Sequence, residues 1–155
     1  MNKEEELTAS FRALFDKRAW LDKTEMEERL RGYKPSEVHT IEYIEKLPEP
    51  NVTKLAAALY VTRGAVSKLT KRLIAKKLIE SYQKEDNKKE IFFRLTQEGR
   101  EVFDTHEELH KQFRERDKAV FAEITDEQYD MMISFINRYS EHLDAEIEKA
   151  NIHLN

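Results

Sequence analysis

Apolar residues recur at intervals of three and four through most of this chain, and one short region is instead rich in β-formers. Leu7, Phe11, Leu14, Phe15, Leu21, Met26 and Leu30 stand between charged positions at helical spacing, which predicts a long first helix over residues 4–31 that Gly32 and Pro35 stop. A second helix is expected from Pro35-Ser36, with Ser36 as N-cap and Val38, Ile41, Ile44 and Leu47 as its buried stripe. Residues 52–59 form a short alanine-rich helix. After a turn at Tyr60-Val61, Thr62 caps another that runs to about Lys77. Residues 78–82 and 91–95 flank the polar stretch 84–90 and read as a two-stranded hairpin with a mobile tip. Thr96 then caps a very long helix whose stripe is Val102, Leu109, Phe113, Val120 and Ile124, with His106 on that stripe and His110 beside it. A Thr125-x-x-Gln128 capping box opens the last helix, where Tyr129, Met132, Ile136, Tyr139, Leu143 and Ile147 are spaced as in a seam between two chains.

Composition narrows this to a mostly helical protein. Of 155 residues 37% are charged, and only 3 Gly and 3 Pro are present, which favours long solvated helices over sheet. Cysteine is absent, so disulfides, thiol redox sensing and thiolate ligands are excluded, and any metal must sit on nitrogen and oxygen. The longest apolar run, 55–61, is far short of a membrane span, and MNKEEELTAS lacks the apolar core of a signal peptide. A soluble, cytoplasmic protein is the expectation.

The net charge of −4 is unevenly spread. Between Thr62 and Lys77 lie six basic residues, Arg63, Lys68, Lys71, Arg72, Lys76 and Lys77, and no acidic one, so the remainder of the chain carries −10. On a helix from Thr62, Val66, Leu69 and Leu73 share one face, and Gly64, Ser67, Lys68 and Lys71 the opposite one. That outer face suits a DNA major groove. Its small residues let the backbone come close, Ser67 and Lys68 reach base edges, and Arg63, Lys71 and Arg72 meet phosphates. Thr62 and Gly64 leave amides at the helix start for a phosphate oxygen. The plain alternative is a solvated basic face on a structural helix.

The stretch 55–73, LAAALYVTRGAVSKLTKRL, followed by KLIE at 77–80, the hairpin, and LTQEG at 95–99, resembles the MarR (multiple antibiotic resistance regulator) family of winged helix-turn-helix regulators along essentially the whole chain. The resemblance implies a mainly α fold with a small β-hairpin wing. Residues 35–96 would form the DNA-binding domain, and residues 1–34 and 97–155 a helical dimerisation region. It further implies a homodimer, acting as a repressor, whose two recognition helices meet a pseudopalindromic double-stranded operator. In the wing, Asn87 and Lys89 stand where the family usually has an aspartate and a groove-reading arginine. Lys88 and Lys89 are therefore expected to add phosphate affinity more than sequence preference.

His106-Glu107-Glu108-Leu109-His110 matches the H-E-x-x-H pattern of zinc peptidases, but the chain continues Lys-Gln-Phe-Arg-Glu-Arg, without the extension that would supply a third histidine. A non-enzymatic ion site accounts for the spacing better, since histidines at i and i+4 can chelate one ion. His39 falls at the third position of the second helix. Zinc-responsive members of the family resemble this chain in one histidine early in the second helix and two on the long helix, ten and fourteen residues after its threonine. That likeness implies His39, His106 and His110 as ligands, a first-helix carboxylate (Asp22, or else Glu25) as the fourth, and zinc as a regulatory ligand. Alternatively His106 is a core histidine and His110 a surface one. A rival effector is a small aromatic or lipophilic compound in a crevice lined by Phe15, Trp20 and Tyr33. Outside the regulator class, a winged-helix module serving only protein contacts remains.

Overall fold

The computed structural model describes residues 2–151, which form six helices and one antiparallel hairpin in the order α1 (Lys3–Arg29), α2 (Pro35–Lys46), α3 (Val52–Leu59), α4 (Arg63–Ala75), β1 (Ile79–Lys84), β2 (Asn87–Leu95), α5 (Gln97–Phe121) and α6 (Asp126–Asn151). The chain packs as two compact units, Met1–Phe113 and Arg114–Asn155.

In the first unit, α2, α3, α4 and the hairpin enclose a core built from Val38, Ile41 and Ile44 of α2, Leu55 of α3, Val66 and Leu73 of α4, Ile79 and Phe93 of the strands, and Val102, Leu109 and Phe113 of α5. Each contributes its apolar face at the spacing its element dictates. The α3–α4 turn is set by two caps. Tyr60 closes α3 in the left-handed conformation (φ 55°), and the Thr62 hydroxyl accepts the Ala65 amide at 3.1 Å to open α4. The hairpin pairs Ile79 with Leu95 and Tyr82 with Phe92, with an irregularity before Lys84 pairs with Asn87. Its base is fastened outside the sheet as well. The Phe93 amide donates to the Pro50 carbonyl at 3.0 Å, and Lys84 is ion-paired with Glu49.

Four local expectations need correction. The first turn of α2 is capped at Lys34, because Pro35 at the first helical position has a preset φ and no N–H to satisfy; Ser36 lies inside the helix. The stretch 84–90 is mostly strand, and only Glu85-Asp86 turn. α5 ends at Phe121, so Ile124 belongs to the turn before α6 and not to the α5 stripe. Leu69 is half-buried beside the fully packed Val66 and Leu73, while Thr70 is buried with its hydroxyl donated to the Val66 carbonyl at 3.0 Å.

The apolar positions of α1 do not enter this core along most of the helix: Leu7, Leu14, Phe15, Trp20 and Leu21 are exposed, and only Met26 packs against the core cluster. In the second unit the Thr125–Gln128 capping box is formed in both directions. Met131, Met132, Ile133, Ile136, Tyr139, Leu143 and Ile147 of α6 are exposed.

The junction of hairpin and α5 explains the LTQEG stretch. Thr96 donates its hydroxyl to the Lys77 carbonyl at 2.6 Å and accepts the Gly99 amide at 3.1 Å, so one side chain ties the end of α4 to the start of α5. Gly99 faces Leu78 so closely that an added Cβ would lie 2.0 Å from the Leu78 carbonyl oxygen, which is backbone and cannot swing aside. Gly99→Ala is therefore expected to destabilise the fold by at least about 1–3 kcal/mol. A thermal denaturation midpoint unchanged from wild type would contradict this packing.

Candidate nucleic-acid interface and histidine cluster

α4 divides its basic residues between two jobs. Arg63, Lys68 and Lys71 are exposed, with Gly64 exposed and Ser67 half-buried among them. A Cβ at Gly64 would meet nothing nearer than the Thr62 hydroxyl at 4.0 Å, so packing within the chain does not call for glycine there. The Thr62 hydroxyl and carbonyl take the Ala65 and Val66 amides, which leaves the amides of Arg63 and Gly64 ahead of the first helical hydrogen bonds. The outer face is thus small, cationic and rich in donors. Lys88 and Lys89 are exposed on β2.

Arg72 and Lys76 turn the other way. Both converge on Glu37 in the first turn of α2, a residue with 0% exposure: Lys76 Nζ lies 2.8 Å from its carboxylate and Arg72 Nε 3.9 Å. Its hydrogen bonds both reach Oε1, from Lys76 at 3.0 Å and from the Lys34 amide at 3.1 Å, while the buried Oε2 makes none and is held by the nearby cations. Burial opposes ionisation of Glu37, but the Lys76 hydrogen bond, the Lys34 amide and the two cations outweigh it and hold the carboxyl below its ordinary value. Arg72 Nε is buried without a hydrogen bond, so its placement answers to Glu37 rather than to solvent. Sequence periodicity missed Glu37 because a glutamate in a first helical turn ordinarily faces water.

On α5, His106 and His110 bring their Nε2 atoms to 3.0 Å of each other. His106 is buried, and burial first, then the neighbouring His110, lowers its pKa and keeps the ring neutral. His39 is exposed on α2, its ring centroid 6.2 Å from that of His106. The carboxylate that faces the pair is Glu42, which the sequence reading did not single out; its Oε2 lies 3.8 Å from His106 Nδ1. Ligand atoms of Glu42, His106 and His110 lie within 4.8 Å of one another. Asp22 stands 3.8 Å from Arg18 on α1 and, like Glu25, is not part of that cluster. One signal was available: His39, Glu42 and Lys46 follow at i, i+3 and i+7 and so share a face. Glu107, the base of a peptidase reading, is ion-paired with Lys46 at 3.2 Å.

Of the aromatic residues considered for an effector crevice, Phe15 and Trp20 are exposed on α1, Trp20 to 78%. Tyr33 packs against the core with the Lys76 ammonium 6.0 Å above its ring. His142 is exposed on α6, and His153 lies outside the described residues. Among the described residues no helix is long and apolar enough to cross a membrane.

Residues 34–91, which span α2 to the wing, match the model of the MarR family. The chain is also 31% identical to the uncharacterized HTH-type transcriptional regulator YvnA of Bacillus subtilis (strain 168) over 108 residues, 70% of this chain and 69% of that protein. This chain belongs to the MarR family. It is 29% identical over 143 residues, 92% of its length and 82% of the relative's, to the HTH-type transcriptional regulator PchR of the same organism. The crystal structure of Streptococcus pneumoniae FabT in complex with DNA shares its fold with a TM-score of 0.78 at 21% identity, covering 92% of this chain and 99% of that one. As a MarR-family member the protein is a winged-helix, DNA-binding transcriptional regulator and not an enzyme.

The buried carboxylate gives a pH dependence of definite sign. Because the folded-state pKa of Glu37 lies below its ordinary 4.5, its stabilisation is fully present above pH 4.5 and is lost as pH falls through the lowered value. Glu37→Gln is expected to cost about 1–3 kcal/mol at pH 7, less than for a fully buried pair because both cations reach solvent. Melts of wild type and variant should converge on acidification; a gap that widened in acid would reverse the assignment.

Proposed function

We propose that this MarR-family regulator is a homodimeric repressor whose grip on a pseudopalindromic operator is strengthened by a zinc ion held at the histidine cluster. The observation that carries the DNA-reading part is the outward face of α4, where small residues and free cations are backed by Val66 and Leu73 at 0% exposure. Ser67 and Lys68 read base edges, Arg63 and Lys71 meet phosphates together with the first amides of α4, and Lys88 and Lys89 add backbone affinity from the wing. Arg72 acts mainly from behind, through Glu37. The exposed apolar faces of α1 and α6 support pairing of two copies, which would set the two α4 helices about one DNA turn apart.

The donor set fits a zinc ion. Two imidazole Nε2 atoms approach each other, burial keeps one ring neutral, and a carboxylate stands against that ring. His106 and His110 would hold the ion, with His39 completing the site from α2; Asp22 is not part of the cluster. When bound, zinc would cross-link α2 to α5. That link favours the DNA-binding arrangement if the ion binds it more tightly than others.

Fluorescence anisotropy of a labelled operator duplex tests both parts. The logarithm of affinity should fall linearly with the logarithm of salt concentration, and Lys71→Ala should reduce the slope by about 1. Added zinc should tighten binding, chelator should reverse it, and His106→Ala should abolish the response while retaining basal binding. An unchanged slope refutes the Lys71 phosphate contact. Indifference to zinc refutes the corepressor and leaves regulation to an organic effector near Phe15, Trp20 and Tyr33.

A further inference from the structure

His106 presents two edges to two different partners. Its Nε2 edge faces His110 Nε2 at 3.0 Å, and its Nδ1 edge faces Glu42 Oε2 at 3.8 Å. Nδ1 is buried and makes no hydrogen bond, and a ring nitrogen beside a carboxylate is better placed with its N–H than with its lone pair toward the negative charge. Glu42 is itself fixed: Lys46 Nζ donates to its other oxygen, Oε1, at 2.7 Å. Lys46 is bridged in turn to Glu107 on α5 at 3.2 Å. Glu42 is thus a carboxylate already paired with an ammonium, and that ammonium is tied through Glu107 to α5. A neutral imidazole must place its one proton on one nitrogen or the other, and an ionised carboxylate can only accept. The proton therefore belongs on Nδ1, facing Glu42, and the Nε2 lone pair is left on the side of His110.

We propose that Glu42 is the orienting carboxylate of His106 rather than a metal ligand, and that Lys46, braced by Glu107, is the positioning residue that holds Glu42 to that task. The chain Glu107–Lys46–Glu42–His106 fixes the tautomer before any ion arrives. Its consequence for zinc rests on the histidine-cluster reading above, but its consequence for the tautomer does not. Lys46 contacts Oε1 and His106 Nδ1 faces Oε2, so the two partners take different oxygens of the one carboxylate.

Long-range proton–nitrogen correlation spectra of the imidazoles in the metal-free protein test the relay directly. Wild type should show His106 protonated at Nδ1, Lys46→Arg should preserve that state, and Glu42→Ala and Lys46→Met should lose it. Zinc affinity, measured against a competing chelator, should fall about 10–100-fold in Glu42→Ala. Lys46→Met should fall in the same direction, and the double variant should fall no further than Glu42→Ala, since both act through one ring. Lys46 is half exposed and its removal leaves the core intact, so these readings come from folded protein. His106 protonated at Nε2 in the wild type, or a Lys46→Met variant that binds zinc as tightly as wild type or more so, would overturn the relay. A wild type that takes up no zinc while showing the Nδ1 tautomer would overturn the metal site and leave the relay standing.

Discussion

The position of α4 depends on a carboxylate that has no exposed surface. Glu37 sits where α2 begins, and Lys76 and Arg72 reach it from the last turns of α4. A buried carboxylate without cations would be strongly unfavourable, so α4 is held where its basic end can serve α2. Hydrophobic packing at Val66 and Leu73 keeps the helix against the core, but such contacts alone tolerate rotation and sliding. The charged contact fixes rotation, and with it the direction in which Gly64, Ser67, Lys68 and Lys71 face. A positively charged helix thus needs a negative anchor behind it if its positive face is to point away from the protein.

This division changes the meaning of the charge run. Six cations and no acid between residues 62 and 77 look like six groups available to phosphate. Two of them are engaged with Glu37, and Lys77 lies beyond the helix in the left-handed turn (φ 62°) that leads to β1. The hairpin repeats the pattern: Lys84 is held by Glu49 and Arg94 by Glu80 at 2.7 Å, which braces the wing while Lys88 and Lys89 stay exposed. On both elements, internal pairs spend some of the positive charge on fixing the direction of the rest.

The order of elements was legible from apolar spacing because helix and strand periods are fixed by backbone geometry, and α3 came out residue for residue. Spacing assigns faces but not partners, and the misses follow from that. Glu37 and Glu42 are charged residues on a helix, whose usual fate is solvation, and only the packing of α2 against α4 and α5 makes them structural. Thr70 is buried because its hydroxyl is satisfied by its own helix, a local solution that hydropathy does not register. Ser36 lost the cap of α2 to Lys34 because proline set the first turn. In the histidine cluster the i, i+4 pair was readable. The carboxylate that faces His106, Glu42, stands on α2 three residues from His39 and is brought there by the approach of α2 to α5, which spacing along the chain does not register.

α2 connects these features physically. Glu37 binds it to α4, while Glu42, Glu45 and Lys46, three and four residues apart, face α5, where Glu45 pairs with Arg100 at 2.7 Å and Lys46 with Glu107. The two sets lie on different sides of the same 12-residue helix. A helix of that length, with Val38, Ile41 and Ile44 packed in the core, moves as a rigid body more readily than it bends. A displacement of α2 at the His106 end would therefore be carried to its first turn, from which Glu37 holds α4. Both attachments are ionic and neither is interchangeable with apolar packing: one sets how α4 is turned, the other how the His106 ring is turned, and the same backbone segment carries both.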